Sequence, residues 1–135
     1  MSIGVGGYAR IVLQDEETVI YEYGSYSLND SQFINNERVS DGLIVIDKSG
    51  LVESEIIKKI KRFPNGKKKT IIKKITKDVP YQDLYDSGKI RIQNCSNCWK
   101  TIGDGYDYIA CNLVYQIFQE YQKIGCLSEC ISYNV

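Results

Sequence analysis

The five cysteines are the residues of this chain best suited to metal or redox chemistry. Cys95 and Cys98 form a Cys-x-x-Cys pair before a long helical pattern, and Cys126 and Cys130 follow that pattern. Two such pairs could supply the four ligands of a structural zinc ion. The roughly twenty helical residues between them would, however, span about 30 Å at a rise of ~1.5 Å per residue. We therefore do not expect one zinc ion to be bound by both pairs.

A smaller cluster would combine Cys95 and Cys98 with Cys111, which falls in the second turn of the predicted helix. Zinc would then need a fourth ligand, such as an aspartate. A redox pair is expected to open a helix, whose dipole lowers a thiol pKa, whereas this pair follows a strand-like pattern. We predict three thiols packed around Trp99, with no metal and no cofactor. A small thiol or zinc protein using Cys95 and Cys98 stays an alternative.

The sequence contains no histidine. Catalysis by a Ser-His-Asp or Cys-His arrangement is thereby excluded, and the commonest general base and metal ligand are absent. The carboxylate pairs Asp83/Asp86 and Asp104/Asp107 have an i, i+3 spacing that is common on helices and turns. We therefore predict that the protein is not an enzyme.

Charge is distributed unevenly along the chain, although the formal net charge is zero. Residues 56–77 contain ten basic residues and no acidic one, whereas the remainder contains seven basic and seventeen acidic residues, a charge of −10. Such a segment predicts binding to an acidic protein, or to nucleic-acid phosphates as the alternative. With one arginine and one aromatic residue, it lacks a stacking platform for single strands. The predicted contact residues are Lys58, Lys59, Arg62, Lys67, Lys68, Lys69, Lys73 and Lys74.

Tyrosine is the other residue type that could form a binding surface, since the chain contains eleven. A tyrosine side chain combines apolar area with a polar tip and is favoured in interfaces. Tyr21 and Tyr23 fall on one face of a predicted strand, and we expect them to form a half-exposed patch with Tyr108 and Tyr115. We therefore add Tyr21 and Tyr23 to the predicted binding residues.

Alternating and continuous apolar runs predict the strands that position these residues. Two alternating runs on either side of Asp15-Glu16-Glu17 indicate an antiparallel hairpin. The predicted strands cover residues 8–14, 18–26, 43–46, 70–75, 89–93 and 131–135.

Tyr81, Leu84 and Tyr85 predict one or two helical turns. Two longer helices are predicted from apolar residues at helical spacing. The first runs from about Val52 to Phe63 and is ended by Pro64-Asn65-Gly66. The second is the long C-terminal helix, capped by Asp104 and ended by Gly125.

These patterns predict a single globular domain over residues 1–135 of the α+β class. We expect a mainly antiparallel sheet of about five strands, with the long C-terminal helix packed on one face and a shorter middle helix. No apolar run approaches the ~18 residues of a membrane span. No secretory leader is evident, so we expect a cytoplasmic location and no membrane partner.

The sequence therefore favours a non-catalytic intracellular protein-interaction module that binds a partner with an acidic surface. A small bacterial immunity or inhibitor protein is one concrete form, because such a protein needs a stable fold and one complementary face. A nucleic-acid-binding protein using residues 56–77 is the alternative from a different class.

Overall fold

The computed structural model describes residues 3–103 and 105–135. In these residues the helices are α1 (Tyr81–Asp86) and α2 (Tyr108–Ile124), and short 3-10 turns lie at Ser31–Phe33 and Lys48–Gly50. The strands are β1 (Val5–Gln14), β2 (Thr18–Ser27), β3 (Gly42–Asp47), β4 (Glu55–Arg62), β5 (Lys68–Ile75), β6 (Ile90–Gln93), β7 (Thr101–Ile102), β8 (Tyr106–Asp107) and β9 (Cys130–Asn134).

The body of the protein is a five-stranded antiparallel sheet with the strand order β6-β3-β2-β1-β9. The predicted hairpin is confirmed as β1 and β2, and the Asp15 carboxylate closes its turn by accepting hydrogen bonds from the backbone N–H groups of Glu17 and Thr18. The continuous apolar run Leu43–Ile46 forms the internal strand β3, whose side chains alternate between the core and the outer face. The predicted mainly antiparallel sheet of about five strands is therefore confirmed.

The long C-terminal helix is confirmed as α2, which packs on one face of this sheet. Its apolar stripe, including Ile109, Leu113 and Phe118, is fully buried in the core. Gly7 of β1 allows the close approach, because a Cβ atom there would lie 2.4 Å from Ile109 Cγ2. Gly125 ends the helix in the left-handed conformation, with φ 76°.

The helix begins at a different aspartate from the one predicted. Asp104 lies outside the described residues, and the Asp107 side chain caps α2 by accepting a hydrogen bond from Ile109 N. Asn94 holds the preceding loop, since its amide donates to Gly105 O and its carbonyl accepts from Asp107 N. No helix in the described part of the chain is both long and apolar enough to cross a membrane.

The prediction of a middle helix from Val52 to Phe63 is wrong, because this segment contains strand β4, which pairs with β5 as a separate two-stranded sheet. Its isoleucine spacing fits a helical stripe, but α2 already fills the core that such a stripe would need. The β-branched strand β5 offers backbone partners instead. Pro64-Asn65-Gly66 makes the hairpin turn, with Gly66 at φ 82°. The shorter helix of the fold is α1.

Candidate functional site

Strands β4 and β5 form a two-stranded arm, defined here as residues 55–75. The strands pair along their whole length, from Glu55 opposite Ile75 to Arg62 opposite Lys68, which gives an arm about 25 Å long at ~3.4 Å per residue. Every residue from Lys58 to Asp78 is exposed, and no residue of the arm belongs to the hydrophobic core. Because two strands alone are marginally stable in water, the arm depends on contacts at its base.

The arm is anchored to three consecutive residues in the last turn of α2. The buried amide of Gln122 accepts a hydrogen bond from Lys77 N at 2.8 Å and donates one to Lys77 O at 2.9 Å. Its neighbour Tyr121 donates at 3.3 Å to the carboxylate of Glu53, which lies two residues before the arm. The Lys74 ammonium donates to the carbonyl oxygen of Lys123 at 3.2 Å, where the negative end of the helix dipole favours a cation. The chain on both sides of the arm is therefore bound to the same turn of α2.

Each face of the arm carries a diagonal row of three isoleucines among basic side chains. On one face, Ile72 lies diagonally between Ile56 and Ile60, and on the other Ile57 lies diagonally between Ile71 and Ile75. Ile56, Ile60 and Ile72 are 57%, 67% and 62% exposed. The first face also carries Lys58, Arg62, Lys68 and Lys74, and the second carries Lys59, Lys61, Lys69 and Lys73. Apolar and cationic groups are therefore interspersed on both faces, with Thr70 on the first face and Glu55 on the second.

The structure brings the predicted basic residues together on this arm. Lys67 lies in the turn and the other seven lie on the two strands. None of the eight forms an ion pair with a carboxylate among the residues that the structure describes. Apart from Lys74, whose ammonium donates to Lys123 O, their charges are therefore available to a partner. The sequence prediction missed the exposed isoleucines between them, although isoleucines and lysines are adjacent throughout Ile71–Ile75.

The predicted tyrosine patch is wrong. Tyr21 and Tyr23 are 0% exposed, because their face of β2 lies under α2. Tyr21 donates to Ser128 O at 2.8 Å, and Tyr23 donates to Asp107 Oδ2 while accepting from Cys95 N, both at 2.9 Å. Burial, reinforced by the negative charge of Asp107, raises the pKa of Tyr23 far above its ordinary value. These two tyrosines hold the core together and have no surface to offer a partner.

Cys95 lies in a buried polar cluster at the start of α2. Its Sγ atom is 3.4 Å from Asp107 Oδ2, to which it donates, and 3.4 Å from Ser25 Oγ. Burial raises the pKa of the Cys95 thiol, and burial together with the Asp107 charge raises the pKa of Cys98 to about 11. Cys111 contacts Tyr85 instead, and burial raises its pKa as well. The raised pKa values favour the protonated thiols, whereas a nucleophilic cysteine is a thiolate.

Trp99 packs against the core near Cys98, in an edge-to-face contact with Tyr108 at 6.2 Å between ring centroids. Cys126 and Cys130 are exposed beyond the other end of α2. Among the described residues, no group of three or more His, Cys, Asp or Glu side chains is placed to hold a metal ion.

Comparison with known proteins identified no matching family model, curated protein or solved structure. The arm is therefore interpreted from its own geometry and chemistry.

Proposed function

We propose that this chain is a non-catalytic interaction module that binds an acidic surface of another protein through the arm. The observation that carries this proposal is the diagonal row of exposed isoleucines, bordered by unpaired basic side chains, on a projecting pair of strands. Protein interfaces combine an apolar centre with a polar rim, and exposed apolar patches mark such contacts. A solvated strand pair needs β-branched residues for its conformation, but threonine would serve that purpose without exposing this much apolar surface.

The two residue types have different expected contributions. Full burial of an isoleucine side chain contributes about 1.5–3 kcal/mol. The three isoleucines of one row are already partly buried, so covering them with a partner should contribute about 3 kcal/mol to binding. The lysines at the rim steer the encounter and select an acidic partner, and they add less to affinity. The isoleucines should therefore govern the dissociation rate and the lysines the association rate.

An immunity-type inhibitor is one concrete form of this proposal. Such a protein requires a body that keeps its shape and one surface complementary to its target. The five-stranded sheet with α2 would supply the body, and the arm would supply the surface. A cytoplasmic location would follow if the target were a protein inside the same cell.

The proposal is tested by capturing the partner from a lysate of the native host and measuring its affinity for arm variants. Ile56→Thr/Ile60→Thr/Ile72→Thr keeps the charge and the β-propensity but removes one apolar row. We expect its Kd to be weaker by on the order of 100-fold, the equivalent of about 3 kcal/mol. Leu13→Thr, which changes an exposed apolar residue of the body, is the matched control and should bind normally. Unchanged affinity of the triple variant would contradict the proposal.

The charges are tested separately. Lys67→Glu/Lys68→Glu/Lys69→Glu reverses the charge at the tip of the arm and should slow association, with the largest effect at low salt. An association rate equal to that of the wild type at low salt would exclude the tip as part of the contact.

Nucleic-acid binding is the second candidate, favoured by the presence of basic residues on both faces of the arm. A two-stranded ribbon fits the major groove of a DNA duplex, whose two walls are both lined by phosphates. Docking onto a flat protein surface would use only one face. Lys58 and Lys59 point to opposite faces and could each reach one wall.

The isoleucine variant separates the two candidates. Duplex binding through phosphates should survive Ile56→Thr/Ile60→Thr/Ile72→Thr, but should weaken by orders of magnitude between 50 and 200 mM salt for about 6–10 contacts. Replacement of Lys58, Lys59, Lys73 and Lys74 by glutamine should reduce the salt dependence. No binding to duplex DNA or RNA at about 50 mM salt, where phosphate contacts are strongest, would eliminate this candidate.

A further inference from the structure

We infer that the helix-free face of the main sheet carries a second site, independent of the arm, that binds a small organic molecule through a carboxylate or phosphate group. A groove of about 640 Å³ lies on this face, over β1, β9 and the loop that follows β2. This volume is within the range of small-molecule sites, about 300–1,000 Å³. Its lining includes Tyr8, Arg10, Glu22, Arg38, Ser40 and Ser132.

The loop that borders the groove is held firmly on the sheet. The Asn35 side-chain amide lies 3.1 Å from Tyr8 Oη, from Ser25 O and from Val39 O, and its carbonyl accepts from Val39 N at 2.9 Å. Gly24 on β2 leaves room for this contact, because a Cβ atom there would lie 2.3 Å from Val39 O. The loop therefore presents its side chains from a fixed backbone.

Arg38 is the residue that this loop places over the groove. It adopts a left-handed conformation with φ 54°, which is uncommon for any residue except glycine and a few small polar residues. Its guanidinium carbon lies 4.8 Å from the centroid of the Tyr8 ring, a cation–π contact that holds the guanidinium at the groove. In the described part of the chain, Arg38 forms no ion pair. A planar guanidinium held in this way matches the two oxygens of a carboxylate or phosphate.

The charge of the groove also favours an anion. Arg10 is paired with Glu22 at 2.6 Å, so this pair is neutral and Arg38 leaves a local charge of +1. Outside residues 56–77 the chain carries seven basic and seventeen acidic residues, and two of those seven line this groove. The Ser132 hydroxyl adds a hydrogen-bond donor to the lining of the groove.

The site is tested by NMR titration of the full ¹⁵N-labelled chain with four probes: benzoate, benzamide, ribose 5-phosphate and inorganic phosphate. Benzoate and benzamide have nearly the same shape, but only benzoate is charged. We expect benzoate, ribose 5-phosphate or both to cause saturable shifts at Tyr8, Arg10, Arg38 and Ser132, with Kd on the order of 1 mM or tighter. The two organic anions distinguish a carboxylate from a phosphate ligand, and inorganic phosphate shows whether the organic part contributes.

Arg38→Gln should weaken this binding at least about tenfold, because it removes the charge and the paired donors. Arg38→Lys keeps the charge but lacks the planar pair of guanidinium donors, so it should bind with intermediate affinity. If the glutamine variant does not fold, the lysine variant tests the same point. The matched control is Arg91→Gln, an exposed arginine of the same sheet that is ion-paired with Asp47 at 3.5 Å. The inference is overturned if no anion gives saturable shifts, if benzamide binds as well as benzoate, or if the Arg38 variants bind like the wild type.

Discussion

The attachment of the arm to the last turn of α2 predicts that loss of the Gln122–Lys77 hydrogen bonds will destabilise the arm. Gln122 is 1% exposed, and its amide makes two hydrogen bonds to the backbone of Lys77. Gln122→Leu keeps most of the side-chain volume and the helix propensity but removes both bonds. At about 0.5–1.5 kcal/mol for each bond, the loss is about 1–3 kcal/mol. Since Lys77 is exposed and water can replace part of each bond, we expect the variant to destabilise the attachment of the arm by about 1–2 kcal/mol.

The loss should fall on the arm rather than on the core, because no arm residue belongs to the core. A change of about 1–2 kcal/mol corresponds to a roughly 5–30-fold larger population of the open arm, and so to faster amide exchange. Native-state hydrogen–deuterium exchange of the paired amides in residues 55–75 measures this directly. Amides of the internal strand β3 should keep the exchange rates of the wild type in the same sample.

Gln116→Leu provides the control, because it makes the same replacement on the same helix away from the arm contact. Two results would refute the anchoring argument. One is unchanged exchange of the arm in Gln122→Leu. The other is an equal acceleration in β3, which would show that the substitution destabilises the whole fold.

Three further predictions concern the body of the protein. Asp107→Ala removes the acceptor of Tyr23 O–H, Cys95 S–H and Ile109 N–H. The free energy of unfolding in urea should therefore fall by about 2–4 kcal/mol. A loss below about 0.5 kcal/mol, typical of a surface substitution, would contradict the structural role of Asp107. Gly7→Ala places a Cβ atom 2.4 Å from Ile109 Cγ2. Overpacking should lower the free energy of unfolding, measured by the same urea titration, by about 1–3 kcal/mol. An unchanged midpoint would show that α2 can shift to accommodate the methyl group. The pKa of Cys98 is raised to about 11 in the folded protein, above the unfolded value of about 8.5. The contribution of this thiol to stability is therefore complete below pH ~8.5 and is lost as the pH rises towards 11. Cys98→Ala should flatten the fall of the unfolding free energy over this pH range, and a pH profile identical to that of the wild type would refute the shift.

The sheet and α2 could be predicted because burial on one side leaves a strong period in the sequence. The stripe from Ile109 to Phe118 is an example, whereas the continuous apolar run Leu43–Ile46 indicates an internal strand by its length. The segment Val52–Phe63 could not be assigned in the same way. Its isoleucines have a helical spacing, but the deciding factor is the long-range register with Lys68–Ile75, which no local pattern specifies.

The candidate site was predictable in part for similar reasons. A run of basic residues is visible in any sequence, so the eight residues from Lys58 to Lys74 were identified although their strand conformation was only partly recognised. Alternation also divides β2 into two faces, but it does not state which face α2 covers, and Tyr21 and Tyr23 were assigned to the wrong environment. The placement of Arg38 depends on a left-handed backbone conformation and on the contacts of Asn35. Neither produces a periodic pattern in the sequence.

The most direct test of the central claim is to remove the arm and measure partner binding. Glu55 and Ile75 are paired across the base of the arm, so residues 56–74 can be replaced by an Asn-Gly turn that suits a two-residue hairpin. We predict that this variant keeps the thermal unfolding and core amide protection of the body but no longer captures the partner that the wild type captures from the host lysate. Capture of the same partner with undiminished affinity by the folded armless variant would contradict the claim.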